Sequence, residues 1–200
     1  MIHLGVTFFR GSQKPPRATQ DKRLARLNES LRLAVPQLDG LELERDADGR
    51  PHLTARYKHW RVNGARQDER DFSDGTLRLI AILWTLIETG NTGTLLLEEP
   101  ELSLHSEVVR QLPSLFHNAR TRKDWQVILS SHSNEILHDP GLGLDEVLVL
   151  KPSDEGTTAT LARDFPDVRD AVTAGVDLAE MLVPLTRPAD VDGLSMSVSA

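Results

Sequence analysis

Apolar residues recur along this chain in two rhythms, helical and strand-like, and their alternation predicts an α/β protein. Leu24, Leu27, Leu31 and Val35 fall at helical spacing, predicting a helix from Asp21 to about Val35 that Pro36 ends. Residues 41–46 and 52–62 alternate around Asp48-Gly49 and predict a β-hairpin, with Tyr57 and Trp60 as packing residues. Asn63 to Asp71 reads as a polar loop. From Leu77 to about Thr89 apolar residues surround nearly the whole helix, which predicts burial, with Gly90 as its C-terminal cap. Residues 2–9, with their β-favouring side chains, predict a further strand.

The sharpest change of pattern is Gly93-Thr94-Leu95-Leu96-Leu97-Glu98-Glu99-Pro100-Glu101. Thr94 to Leu97, bounded by glycine and proline, predict a strand buried on both faces, as in a parallel sheet. Pro100 cannot donate to a ladder, so Glu98 and Glu99 should stand at the strand's carboxyl end, where open α/β sheets place ligands. Trp125 to Ser130 predicts a second buried strand, running into Ser131-His132-Ser133-Asn134 and a short helix. Between the two strands a helix is expected from about Ser106, with Val108, Val109, Leu112, Leu115 and Phe116 facing inward and a kink at Pro113. Asp145–Lys151 and Thr157–Ala162 predict a hairpin across Ser153-Asp154-Glu155-Gly156, and residues 167–183 a helix. The last dozen residues, rich in Ser, Asp and Gly, are expected to fray.

Length and charge change this picture little. Two hundred residues suit one domain-sized core, and the formal net charge of −7 argues against a protein that coats DNA through its overall charge. Arg10, Lys14, Arg17, Lys22, Arg23 and Arg26 nonetheless cluster in residues 10–26, against Asp21 alone. That cluster could touch phosphates, but without interleaved aromatics a solvated loop and polar helix face is the better reading. The absence of cysteine excludes disulfides and cysteine–zinc sites. No signal peptide and no membrane-length apolar run is visible, so a cytoplasmic protein with no membrane partner is expected. His3, His52, His59, His117 and His138 lack metal-ligand spacing, and no nucleophile-elbow glycines flank Ser131 or Ser133.

A strand ending in carboxylates, followed by a strand ending in histidine, is the organisation of a nucleotide hydrolase. Adjacent carboxylates can divide the labour, because successive side chains on a strand diverge. One would orient Mg²⁺ through water and the other would hold the attacking water as general base.

Four short stretches, in order, resemble the carboxyl-terminal half of ABC-type ATPase domains, especially the SMC, RecF and OLD-like group. Phe72-Ser73-Asp74-Gly75-Thr76 is similar to the signature loop, Leu95–Glu99 to Walker B, Glu101-Leu102-Ser103-Leu104-His105 to the D-loop, and Ser130-Ser131-His132-Ser133 to the switch-histidine loop. The resemblance covers roughly residues 70–151 and implies ATP and Mg²⁺ as cofactors. It implies Glu98 as the Walker B acid of the Mg²⁺ shell, Glu99 as the catalytic glutamate and His132 as the sensor of the γ-phosphate. Ser73, Gly75 and Thr76 match signature residues that contact a nucleotide held by an opposing subunit, and Ser103 matches a D-loop residue near it. Hydroxyl and backbone N–H groups at a helix N-terminus suit such an anion. Glu98 stands where Asp is more common. Asp74 replaces a glycine and should point away from phosphate or cap the helix. His105 stands where many transporters carry Asp.

One part is missing. No Gly-x-x-x-x-Gly-Lys-Ser/Thr occurs in the sequence, and Gly11-Ser12-Gln13-Lys14-Pro15 has neither the spacing nor the helix start. Such a loop supplies the backbone cradle and lysine for the β/γ-phosphates. The expected fold is therefore an α/β, P-loop NTPase-like, ABC-type carboxyl-terminal lobe with a mainly parallel sheet flanked by helices, its amino-terminal Walker A lobe absent. The expected organisation is a partial amino-terminal region over residues 1–70, the lobe over 71–185 and a flexible tail over 186–200. The expected function is an ATPase completed by a Walker A-bearing chain or within a homodimer, in DNA maintenance or defence. Nucleic acid is suggested as a further partner by the resemblance and the basic cluster. The alternatives are a non-catalytic docking or regulatory module with a degenerate ATPase fold, and a truncated gene product.

Overall fold

A computed structural model describes residues 16–58, 65–88, 93–120 and 125–187. The expected strand over residues 2–9, Trp60, Gly90 and the expected tail after residue 187 lie outside the described residues. The chain divides into two compact units, Met1–Val108 with Phe116–Ser131, and Val109–Leu115 with His132–Ala200.

In the first unit, α1 (Arg17–Ala34) buries Leu27 and Leu31 fully, so the stripe read from the sequence is its packing face, although the helix begins four residues earlier than Asp21. It docks on β1 (Leu38–Arg45) partly through Asn28. The Asn28 amide donates to the Leu41 carbonyl at 2.9 Å and accepts from the Leu41 N–H at 2.6 Å, satisfying a strand backbone that, among the described residues, has no ladder partner on that side. β1 pairs antiparallel with β2 (Pro51–Tyr57), closing the expected hairpin through Gly49 at φ 76°. A bulge between Leu38 and Gly40 shifts the register, so Gly40 and the adjacent Leu41 are both buried.

The segment read as a polar loop contains a third strand, β3 (Ala65–Asp68), antiparallel to β2. Ala-Arg-Gln-Asp carries no apolar alternation, and an edge strand held by backbone ladder bonds needs none. The turn after β3 is tied back to the hairpin by His52, whose Nδ1 lies 2.6 Å from Glu69 Oε1 and whose Nε2 lies 3.1 Å from Asp46 Oδ2. The Glu69 carboxylate foremost, and Asp46 beside it, push the His52 imidazole above its ordinary value of 6.5. Backbone N–H donation from Arg50, and then His52, hold Asp46 below 3.8, while the Arg70 guanidinium holds Asp68 at about 2. A raised histidine stabilises the fold fully below its unfolded pKa and loses that contribution as pH rises through the folded value. Urea midpoints of the wild type should therefore fall as pH rises above about 6.5. His52→Gln should flatten that slope, and an unchanged slope would show that the cluster is not linked to folding.

α2 (Asp74–Ile87) buries Leu79, Ile80, Ile82, Leu83 and Trp84, as its apolar circumference predicts, and packs against α1. It starts three residues before Leu77 because Ser73, not Asp74, is the N-cap. It ends at Glu88, which is extended.

β4 (Gly93–Glu98) and β5 (Trp125–Ser130) pair in parallel with Gly93 opposite Trp125 and Glu98 opposite Ser130. The strands lie where the sequence placed them, but they are not buried on both faces. Leu96 is 70 % exposed and its register partner Ile128 50 %. An apolar strand is covered only if further strands or helices lie over it, and among the described residues this sheet has two strands. β4–β5 is the parallel pairing expected for this lobe, and among the described residues it stands beside three antiparallel pairings in other sheets.

The segment after β4 forms two short helices rather than one kinked one. α3 (Ser106–Val109) stops and α4 (Leu112–Arg120) restarts around Pro113, whose missing N–H suits a first helical turn.

In the second unit, Val149, Ala162, Val168, Leu178 and Leu182 form the core, lined by Leu137, Leu144 and Phe165 among others. Val149 lies on β6 (Leu148–Ser153), which forms the expected hairpin with β7 (Gly156–Leu161). Residues 167–183 are not one helix. Gly175 at φ 92° and the N-cap Asp177, which accepts from Ala179 N–H at 2.8 Å, separate α5 (Pro166–Thr173) from α6 (Leu178–Thr186). The buried Asp139 carboxylate accepts from Ser114 N–H (2.9 Å), Ser114 Oγ (2.7 Å) and Gly141 N–H (2.8 Å), which satisfies a charge that burial would otherwise make costly.

Candidate functional site

The site is built from two segments of the first unit that meet at backbone level. Ser73 Oγ accepts from Thr76 N–H at 3.2 Å and sits 2.9 Å from Thr76 Oγ1, closing the first turn of α2. Asp74 is a first-turn acid, favourable at the positive end of a helix. The N–H groups of Asp74 and Gly75 are first-turn donors for which helix geometry supplies no acceptor. Ser73 is exposed, while Gly75 and Thr76 are half-buried.

Gly75 faces the turn that follows β4. A Cβ at this position would lie 2.2 Å from the Ser103 carbonyl oxygen and 3.2 Å from its carbon. The residue type is thus explained by close backbone approach, since its φ is ordinary. The opposing backbone is itself unusual, for Ser103 has φ 64° and Glu99, at the other end of the same turn, φ 42°. Between them Leu102 N–H donates to the Glu99 carbonyl (3.2 Å) and Leu104 N–H to the Glu101 carbonyl (2.9 Å). Residues 99–104 are therefore a compact coil, not an extended continuation of β4.

The three carboxylates at this turn have different surroundings. Glu98 ends β4 exposed, and among the described residues no side-chain hydrogen bond or ion pair engages it. Glu99 is half-buried, its N–H donating to the Ser130 carbonyl at 2.9 Å. Glu101 is buried, with Ser131 Oγ donating to its Oε1 at 2.5 Å and its Oε2 unpartnered among the described residues. The sequence places Glu101 at the start of the D-loop-like stretch without a role of its own, and its position one residue after Pro100 gives no sign of burial.

His132 is exposed and opens the second unit, directly after Ser131 in the chain. Beyond it, Ser133 Oγ accepts from Glu135 N–H at 3.3 Å and caps the 3₁₀ turn Asn134–His138. His105 Nδ1 accepts from Glu107 N–H at 3.2 Å, so it caps α3.

Arg78 was also missed. Its Nη1 donates to the Glu99 carbonyl at 2.7 Å from within the otherwise apolar run of α2. A basic residue interrupting such a run is the signal that could have marked it.

Among the described residues no group of three or more His, Cys, Asp or Glu side chains could hold a metal ion by itself. Mg²⁺ carried by a nucleotide asks the protein for one or two carboxylates and keeps much of its water. The exposed, unengaged Glu98 fits that need. No described helix is long and apolar enough to cross a membrane.

Comparison with known proteins agrees with this architecture. No curated protein matches the chain. Among solved structures, one described as "Structural biochemistry of ATP-driven dimerization and DNA stimulated activation of SMC ATPases" is similar with a TM-score of 0.53 at 10% identity, over 78% of this chain and 94% of that one. An Smc head domain with an extended coiled coil, bound to the C-terminal domain of ScpA and derived from Pyrococcus furiosus, gives 0.56 at 10% identity over 78% of this chain and 39% of that one. An Smc head domain with a coiled coil and joint from Pyrococcus yayanosii gives 0.54 at 11% identity, over 76% and 30%. This chain thus spans well under half the length of the latter two. The shared fold is the α/β fold of SMC ATPase heads. A family model matches residues 4–138, more than half of the sequence. The chain belongs to the family described as "AAA domain, putative AbiEii toxin, Type IV TA system", and its fold is that of an SMC/RecF-like ABC-type ATPase domain.

Proposed function

We propose that this chain supplies the carboxylate-bearing half of an ATPase site and that a Walker A-bearing chain supplies the phosphate cradle. The observation that carries the reading is the contrast between Glu98 and Glu99 at the end of β4, one exposed and without a side-chain hydrogen bond or ion pair among the described residues, the other half-buried on a left-handed backbone. Glu98 would hold the water shell of Mg²⁺, and Glu99 would accept the proton of the attacking water. Mg²⁺, when bound with ATP, neutralises charge on the transferring phosphoryl group. His132 is the residue we assign to sensing the γ-phosphate. Ser73, Gly75 and Thr76, with Ser103 beside them, would present the α2 N-terminus to a nucleotide held by a facing subunit, so one chain serves two sites. In this reading residues 71–185 carry the nucleotide chemistry and residues 1–70 support it.

The similarity to SMC heads, whose description names ATP-driven dimerization and DNA stimulated activation, supports a dimeric assembly and a DNA-maintenance or defence setting. Arg17, Lys22 and Arg26 on α1 are the described basic residues offered to nucleic acid. A cytoplasmic location follows from the same reading.

Mixing the full chain with a co-encoded Walker A-bearing chain should raise Mg²⁺-dependent ATP hydrolysis well above that of either alone. An inert mixture with no association would overturn the proposal. The second reading, a docking module with a degenerate ATPase fold, is favoured by the lack of any Gly-x-x-x-x-Gly-Lys-Ser/Thr in the sequence. It predicts that Glu99 and His132 substitutions leave the partner's function unchanged.

A further inference from the structure

Glu99 is a non-glycine residue in the left-handed region, at φ 42°. That conformation brings Cβ against the following carbonyl and persists only where the surroundings hold it. Three hydrogen bonds do so. The Glu99 N–H is fixed by the Ser130 carbonyl at 2.9 Å, and the Glu99 carbonyl accepts both Leu102 N–H at 3.2 Å and Arg78 Nη1 at 2.7 Å. The first two belong to the strand pair and the turn itself. The third comes from α2, whose N-terminus lies against the far end of the same turn through Gly75 and Ser103. Arg78 is a half-buried cation, and its bond to a neutral carbonyl is charge-assisted and directional. A side chain leaves its Cα in a direction set by φ and ψ, so whatever fixes these peptides also aims the Glu99 carboxylate.

We propose that Arg78 is a positioning residue that holds the Glu99 peptide in its left-handed conformation and so sets the direction of the carboxylate. The value of this to hydrolysis rests on the reading of Glu99 given above, but the hold does not. Arg78 also mechanically joins the α2 N-terminus to the carboxylate turn within one chain.

The test is amide hydrogen exchange by NMR on the full chain without nucleotide. Arg78→Met keeps the apolar stem and removes the donor. It should speed exchange of the Glu99 and Leu102 amides by about tenfold or more and shift their resonances, while Ile82, Leu83 and Trp84 inside α2 keep wild-type rates. Arg78→Lys, which restores a cationic donor, should recover part of the protection. Wild-type protection in Arg78→Met would overturn the proposal. So would uniform acceleration along α2, or equal behaviour of the Met and Lys variants. An assembly without ATPase activity would remove the role of Glu99 and leave these exchange results untouched, so the two failures are distinguishable.

Discussion

Glu99→Gln is expected to lower ATP hydrolysis in the completed assembly by about 10²–10⁴-fold, the usual contribution of a positioned general base, while nucleotide binding stays near the wild-type level. The substitution keeps the length and planarity of the side chain and removes its capacity to take a proton. It also leaves the backbone bonds to Ser130, Leu102 and Arg78 in place, because all three engage the residue 99 main chain. Binding should survive, since affinity resides in the phosphate cradle and in Mg²⁺. Glu98→Gln is the contrasting variant, and should weaken the Mg²⁺ dependence of binding as well as hydrolysis. Glu101→Gln should mimic neither, because the buried Glu101 is engaged with Ser131. Single-turnover hydrolysis and titration with a non-hydrolysable nucleotide separate these outcomes. Undiminished turnover in Glu99→Gln would remove Glu99 from the chemistry.

The sequence located the carboxylates well because their position is set by punctuation. Gly93 and Pro100 bound the strand, and the structure ends β4 at Glu98. It could not give burial, since Thr94–Leu97 reads identically whether or not something covers it, and Leu96 is mostly exposed. β3 was invisible for a related reason, being four residues joined by backbone bonds with no side-chain pattern. The single helix expected over residues 167–183 is broken at Gly175 and Asp177, residue types that end and cap helices. Arg78 and the Gly75–Ser103 contact depend on carbonyl oxygens, which every residue carries and no sequence distinguishes.

Gly75→Ala is the substitution with the largest expected effect on stability. Elsewhere in a helix the change would gain about 1 kcal/mol, because alanine loses less backbone entropy. Here the new Cβ would stand 2.2 Å from the Ser103 carbonyl oxygen, a backbone atom that cannot rotate away. Ser103 is held at φ 64° by the coil that begins at Glu99, so the oxygen retreats only if that turn or the α2 N-terminus moves. Overpacking of this kind costs about 1–3 kcal/mol, and contact with backbone puts it toward the upper end, enough to reverse the helical gain. For a chain of this length each kcal/mol lowers the midpoint temperature by about 2–4 °C. Thermal unfolding should show a fall of several degrees in Gly75→Ala and little change in Asp74→Ala, which alters the exposed neighbour without touching Ser103. Ser103→Gly relieves the left-handed residue but leaves the carbonyl oxygen, so Gly75→Ala combined with it should recover only part of the loss. Full recovery would place the conflict in the Ser103 side chain, and no loss at all would mean that the α2 N-terminus and the carboxylate turn are not in contact in solution.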